Sequence, residues 1–148
     1  MPVIEREAIV PYSAEQMFVL VDDVEKYPEF VPSCSTAEVL VPGEDSLQAR
    51  LTFAKSGISK SFTTKNFRKP HSLIELRLVD GPFKMLEGVW TFTDLDSGKS
   101  RVRLDLEFEF DSKMLAMVFG PVFEAVTSKL VDTFKTRAEE IYGAGHAS

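Results

Sequence analysis

Residues 101–110 read RVRLDLEFEF. Arg101, Arg103, Asp105, Glu107 and Glu109 alternate without a miss with Val102, Leu104, Leu106, Phe108 and Phe110. A period of two over ten residues describes a strand with one face in a core and the other in water. Directly after it, Asp111 or Ser112 can cap a helix. Leu115, Val118, Phe119, Val122, Phe123, Val126, Leu130, Phe134, Ala138 and Ile141 then recur at threes and fours as far as Tyr142–Gly143. That is an apolar helical stripe, roughly 45 Å long at 1.5 Å per residue. Gly120–Pro121 lies inside it, and proline there removes a donor and crowds the preceding turn, so a bend or local break is expected. A stripe of this length needs a large concave apolar surface to lie against.

The residues upstream supply that surface. From residue 35 the period is two, with strands expected near 35–42, 46–55, 58–69, 72–80, 85–94 and 100–110. Pro42–Gly43, Ser56–Gly57, Lys69–Pro70, Gly81–Pro82 and Ser97–Gly98 punctuate them. Connections this short favour antiparallel neighbours. VIEREAIV at 3–10 makes a seventh strand. Arg6 shares a two-residue period with Ile4, Ala8 and Val10, whereas the opposite register turns Val3 and Ile9 inward; both registers stand. Ser13 and Gln16 have capping-box spacing ahead of Met17, Phe18, Leu20 and Val21, which marks a short helix. A second short turn runs from Asp22 or Asp23 to Tyr27, where Pro28 stops it. The expected fold is α+β: a curved seven-stranded antiparallel sheet around a long C-terminal helix, with two short helices after the first strand. A single domain over 1–143 and a flexible tail at 144–148 follow.

Composition narrows the function classes. The chain has 148 residues, 44% of them hydrophobic, and twelve Phe against three Tyr and one Trp. Phe has no polar handle, so these rings belong in a core, a pocket or an interface. The formal charge of −6 argues against salt-driven binding to nucleic acid, and no DNA partner is expected. A lone cysteine, Cys34, excludes an internal disulfide and fits a reducing compartment. The start, MPVIEREAIV, carries two glutamates and no basic leader. No apolar run reaches the ~18 residues of a membrane span. A cytoplasmic protein is expected, with room for peripheral contact with the inner membrane.

No GxSxG, HExxH, CxxC or paired-acid pattern occurs. His71 and His146 lie apart and form no metal-ligand cluster, and Cys34 has no base beside it in sequence. No catalytic residue and no metal are assigned, and non-enzymatic binding is expected. Tyr27, Pro28, Phe30, Val31 and Pro32 form either a rim over a pocket or a plug in the end of the core. Gly81, Pro82 and Phe83 read as a second rim or as a plain hairpin turn. On the next strand Leu86, Gly88, Trp90 and Phe92 share one face; Gly88 removes volume there, leaving room for a ligand or for close packing. Phe108, Phe110, Phe119, Val122, Phe123 and Val126 are the wall chosen for an apolar tail.

Three blocks carry a family resemblance. They are Val24-Glu25-Lys26-Tyr27-Pro28-Glu29-Phe30-Val31-Pro32 with Cys34; Gly81-Pro82-Phe83-Lys84 with Leu86, Gly88 and Trp90; and Phe119-Gly120-Pro121 with Phe123, leading to Phe134, Arg137-Ala138 and Tyr142-Gly143. In order and spacing the chain resembles the helix-grip domains of the START-like superfamily, in the branch of coenzyme Q-binding Coq10 proteins and RatA-type ribosome-association toxins. The resemblance implies a hydrophobic cavity between sheet and helix and requires no cofactor. Coq10-like members bind ubiquinone or a related polyprenyl lipid and support respiratory electron transfer or quinone biosynthesis. RatA-like members associate with the large ribosomal subunit and block its joining with the small one. On this resemblance Tyr27, Phe30, Val31, Phe83, Leu86 and Trp90 join Phe108, Phe110, Phe119, Val122, Phe123 and Val126 as ligand contacts, with Tyr27 a candidate donor to a quinone carbonyl. The leading expectation is a lipid carrier. The alternative is a ribosome-binding protein that draws on Lys55, Lys60, Lys65, Arg68, Lys69 and Lys84. A cyclase or hydrolase on the same fold lacks an acid–base pair.

Overall fold

The structure, a computed structural model, describes residues 3–55 and 57–143. The expected tail at 144–148 lies outside the described residues. Seven strands form one antiparallel sheet: β1 (Val3–Val10), β2 (Cys34–Val41), β3 (Ser46–Lys55), β4 (Ile58–Lys69), β5 (Leu73–Asp80), β6 (Phe83–Asp94) and β7 (Ser100–Phe110). Their spatial order is β1-β7-β6-β5-β4-β3-β2, so consecutive strands from β2 to β7 are hairpin neighbours and β1 closes against β7. The strict alternation of β7 sets its inward row. Val102, Leu104 and Phe108 are buried, while Arg101, Arg103 and Asp105 turn outward into ion pairs with one another or with Glu7.

Helix α1 (Ala14–Asp22) starts in the expected capping box: Ser13 Oγ accepts from Gln16 N, and Gln16 Oε1 accepts from Ser13 N. A 3₁₀ segment, Val24–Glu29, follows. The register of β1 is settled by Ile4 opposite Leu106 and Arg6 opposite Leu104, which puts Ile4, Arg6, Ala8 and Val10 on the inward row. Arg6 is nonetheless exposed, because β1 is an edge strand; its guanidinium donates to the Glu5 carbonyl at 2.9 Å.

The C-terminal stripe is two helices rather than one: α2 (Lys113–Ser128) and α3 (Leu130–Tyr142), bent by 50° at Lys129. The expected break at Gly120–Pro121 is not there, and α2 continues through both residues. The carbonyl that Pro121 leaves without its helical donor is that of Met117, whose side chain is 79% exposed, so water can solvate it. Eight residues later the cause is different. Thr127 Oγ1 donates to the Phe123 carbonyl at 2.8 Å and Ser128 Oγ to that of Ala125 at 3.2 Å, competing with the ladder. The Lys129 N–H falls back to a three-residue bond with Val126. Both helices sit on the concave face of the sheet, where Phe134 and Ala138 are fully buried. Ser112 is the cap of α2, accepting from Leu115 N at 3.0 Å. Among the described residues no single helix is long and apolar enough to cross a membrane.

Candidate functional site

Aromatic side chains meet in two separate clusters on the concave face. In the first, Phe123 of α2 is the hub: its ring centroid lies 4.7 Å from Phe108, 5.3 Å from Phe83, 5.8 Å from Phe53 and Phe62, and 6.0 Å from Phe110. In the second, Phe134 of α3 meets Tyr27 at 5.4 Å, Phe30 at 5.2 Å and Trp90 at 5.3 Å. No ring pair connects the two clusters among the described residues. Between them lies a cavity of about 80 Å³. Phe53, Phe62 and Phe123 face it from one end, Tyr27 and Trp90 from the other. Its walls are otherwise mostly aliphatic: Val21, Val24 and Val31 below, Ala49, Leu51, Ile74, Leu76, Leu86 and Leu106 from the sheet, and Val126 and Leu130 from the helices.

Six of the twelve residues assigned from the sequence line this cavity: Tyr27, Val31, Leu86, Trp90, Phe123 and Val126. The other six do not. Phe83 is not a projecting rim residue; it begins β6, is buried, and stacks on Phe110 at 4.7 Å. A register shift between Phe83 and Met85 lets the strand start two residues early and turns Phe83 inward. Phe108 and Phe119 are buried off the cavity, and Val122 is half-buried. Phe110 fronts an open groove of about 910 Å³ beside Gly120 and Pro121. Phe30 packs between Phe134 and the Arg137 guanidinium, which sits 4.7 Å from its ring. The Tyr27–Pro32 stretch is therefore plug and wall at once, since Tyr27 and Val31 face the cavity and Phe30 seals behind them.

The wall also carries polar residues that the sequence reading does not assign. Thr64 and Asn66 of β4 and Thr127 of α2 all line the cavity and are all buried. Parity alone holds the signal for two of them: Phe62, Thr64 and Asn66 share one strand face. Thr64 Oγ1 donates to Asn66 Oδ1 at 2.7 Å. The Tyr27 hydroxyl donates to the Val21 carbonyl and is not free for a quinone. Burial, reinforced by Asp22, pushes the Tyr27 phenol above its ordinary range. Burial likewise pushes the Cys34 thiol up to about 11. The gap at Gly88 opens no ligand space: a Cβ there would lie 2.8 Å from Leu106 Cδ1 and 3.3 Å from the Asp105 carbonyl oxygen.

Ubiquinone, the ligand implied by the Coq10 resemblance, meets this site only in part. Apolar walls suit an isoprenoid and the buried amide suits a head-group carbonyl. The volume of about 80 Å³ is too small for a long tail.

Of the six cations assigned to a ribosomal surface, Lys55 and Lys60 are exposed at the β3–β4 end, and the other four separate into two groups. Arg68 is committed: it pairs with Asp22 at 2.9 Å and donates to the Gly43 and Glu44 carbonyls. Lys84 pairs with Glu109 at 3.5 Å. Lys65 and Lys69 lie on the opposite face of β4 from Asn66, on either side of Phe67, and neither has an acidic partner within 4 Å among the described residues. Lys65 Nζ stands 5.2 Å from the Phe67 ring. Among the described residues no group of three or more His, Cys, Asp or Glu is placed to hold a metal ion.

Comparison with known proteins brings three kinds of likeness. Residues 10–135 match the family described as polyketide cyclase / dehydrase and lipid transport. The chain is 50% identical over 140 residues to the ribosome association toxin RatA of Vibrio cholerae, covering 95% of this chain and 97% of that one. It is 44% identical over 144 residues to RatA of Escherichia coli (97% and 91%). It is 28% identical over 136 residues to the mitochondrial coenzyme Q-binding protein coq10 of Schizosaccharomyces pombe (88% and 83%). In fold it is similar to the Zhui aromatase/cyclase of Streptomyces sp. R1128, with a TM-score of 0.83 at 18% identity over 99% of both chains. It is also similar to the 18 kDa protein CC1736 of Caulobacter crescentus, with a TM-score of 0.75 at 29% identity over 97% of this chain and 100% of that one.

Proposed function

The chain belongs to the polyketide cyclase / dehydrase and lipid transport family, and from that premise we propose that it is a cytoplasmic, non-enzymatic protein of the RatA kind. It associates with the large ribosomal subunit and hinders its joining with the small one. One observation carries the reading: half of the aligned residues are identical to a ribosome association toxin across 95% of the chain. This reverses the order expected from the sequence, which puts the lipid carrier first. The unpaired Lys65 and Lys69, with the exposed Phe67 between them, supply a surface for phosphate and base contacts on an otherwise acidic protein. Turnover is not part of the reading. Among the described residues the only ionisable group on the cavity wall is the Tyr27 phenol, whose proton is engaged by a backbone carbonyl. Sedimentation of purified subunits with the protein at physiological salt tests the proposal. The protein should travel with the large subunit and reduce the yield of joined ribosomes; a protein that stays at the top of the gradient overturns it.

A second reading, hydrophobic ligand carriage, is favoured by the cavity itself. A ubiquinone or polyprenyl lipid would place its ring between the two aromatic clusters. Its tail would then have to leave past α2 and α3, with transient contact at the inner membrane. Native mass spectrometry after gentle purification separates the readings, because a carrier retains a lipid mass that solvent extraction removes.

A further inference from the structure

Helix α2 reads KMLAMVFGPVFEAVTS. Its inner side carries Phe119, Phe123 and Val126 into the core. Its outer side is apolar as well. Met114 is 75% exposed, Met117 79% and Val118 45%, and Ala116, Pro121 and Ala125 are exposed with them. A surface helix ordinarily keeps polar residues on the side that meets water. Here the only charged residues of the helix are Lys113 and Glu124, both exposed, one towards each end of the apolar face. Neither belongs to an ion pair among the described residues; the nearby Lys84 is paired with Glu109 instead. Lys113 also stands in the first turn, where the helix dipole disfavours a cation. Alongside runs the open groove of about 910 Å³, with Phe110 on one side and Gly120 and Pro121 on the other. A Cβ on Gly120 would meet nothing within 4 Å, so the helix backbone is bare there.

We infer that this face docks a second copy of the chain, as an antiparallel α2–α2 pair about a two-fold axis between Val118 and Phe119. The charges choose the occupant. Lys113 and Glu124 are eleven residues apart, about three turns, so they share one line of the helix with Met117 and Gly120 between them. Turning the face on itself sets Lys113 of each copy against Glu124 of the other. It also sets Met117 of each copy over Gly120 of the other, where the bare backbone admits it beside the groove. The same rotation brings each Lys113 to the C-terminal half of the opposite helix, where a cation is favoured. A lipid surface fits less well. The groove carries Glu109, Asp111 and Glu124, and the formal charge of the chain is −6, which an anionic leaflet repels. The sixteen residues of α2 make a face about 24 Å long and about 10 Å wide. That is short of a standard-size interface, so the dimer is weak. The inference does not rest on the ribosome reading, since Lys65, Phe67 and Lys69 belong to β4 and take no part in the face.

Sedimentation equilibrium of the full chain, loaded from about 10 μM to about 1 mM, spans the range of a weak dimer. The mean mass should rise with loading towards that of two chains; a monomer at every loading overturns the inference. Met117→Glu sets two carboxylates close to the axis and should weaken association about tenfold or more. Lys113→Glu alone, or Glu124→Lys alone, turns both opposite-charge pairs into like-charge pairs and should weaken it about three- to tenfold. The double exchange, Lys113→Glu with Glu124→Lys, restores both pairs and should recover the native dimer. A double exchange no tighter than either single one refutes the antiparallel register. Should a variant fail to fold, the native chain decides by its methionine methyl resonances. Those of Met114 and Met117 should shift with concentration and that of Met17, fully buried, should not; uniform shifts, or none, refute the face. A chain that stays monomeric yet floats with phosphatidylcholine–phosphatidylglycerol vesicles would give the face to lipid and overturn the inference.

Discussion

Replacing Phe123 by alanine tests whether the first aromatic cluster is the structural anchor of the helix–sheet junction. Phe123 is 6% exposed and sits within 6.0 Å, centroid to centroid, of five other rings, four of them edge-on. Loss of a buried Phe costs about 3–5 kcal/mol through transfer and cavity terms. Ring pairs add about 0.5–1.5 kcal/mol each in isolation, but five pairs sharing one ring do not sum, so the upper half of that range, about 4–5 kcal/mol, is expected. The cavity beside Phe123 gives the lost volume a place to merge into, which works against collapse and keeps the cost high. In urea the midpoint should fall by roughly 2 M with an unchanged slope, and Tm by roughly 10–15 °C. Phe30→Ala is the internal control. Phe30 is only half-buried, with Arg137 over its outer face, and should cost about 1–2 kcal/mol. A Phe123→Ala loss below that of Phe30→Ala would refute the anchor assignment and the order of packing inferred from the ring geometry.

Two glycines should respond with opposite signs. Gly120 lies in the interior of α2, and a methyl group there would meet nothing within 4 Å, so Gly120→Ala should stabilise by about 0.5–1 kcal/mol in denaturant melts. At Gly81, φ is +144° and a Cβ would lie 2.5 Å from Phe62 Cβ, so Gly81→Ala should destabilise by about 2 kcal/mol or more. Cys34 carries a pH signature. Its folded thiol is pushed up to about 11 by burial, against about 8.5 when unfolded. The neutral form is thus favoured in the fold, and its contribution is complete below the unfolded value and lost as pH rises through about 11. Tyr27, raised in the same direction, adds to the loss above about pH 10. Unfolding free energies measured from pH 7 to 11 should fall, and Cys34→Ala should flatten the part of the curve below pH 10. For ribosome association, Lys65→Glu with Lys69→Glu should weaken binding to large subunits. The slope of log affinity against log salt should drop by about 1.4–1.8, the share of two phosphate contacts. An unchanged slope would move the interface off the β4 face.

The strands and the sheet are legible because half-burial writes itself as alternation. RVRLDLEFEF fixes its own inward row, and a one-residue slip would bury five charges. The break between α2 and α3 is not legible, because proline is the strongest breaker a sequence displays and here it breaks nothing. The carbonyl that Pro121 orphans is that of the exposed Met117. Thr127 and Ser128, whose hydroxyls do the competing, look like ordinary polar positions. Whether a helix tolerates such residues depends on which side of it meets water, and a periodicity argument does not hold that information.

The site is half legible for a related reason. The chemistry of Phe suits a ligand wall, but rings that can reach one another satisfy their surface mutually. Phe83, Phe108 and Phe110 do so, and none of the three faces the inner cavity. Free volume arises instead where side chains are too small to meet across the sheet–helix gap. Ala49, Thr64, Val126 and Thr127 stand at such positions, between two clusters of rings that hold the gap open. The same arithmetic explains why polar residues survive there. A hydroxyl or an amide at a close-packed position must find its partner within the protein, as the Thr64 hydroxyl does on Asn66 Oδ1, whereas one facing residual space is less constrained. A cavity in this fold is therefore to be sought in small and polar residues at inward parity, flanked along the chain by aromatic ones. By that rule the pair Thr64 and Asn66, two and four residues after Phe62, is a stronger pointer to the site than any of the twelve phenylalanines.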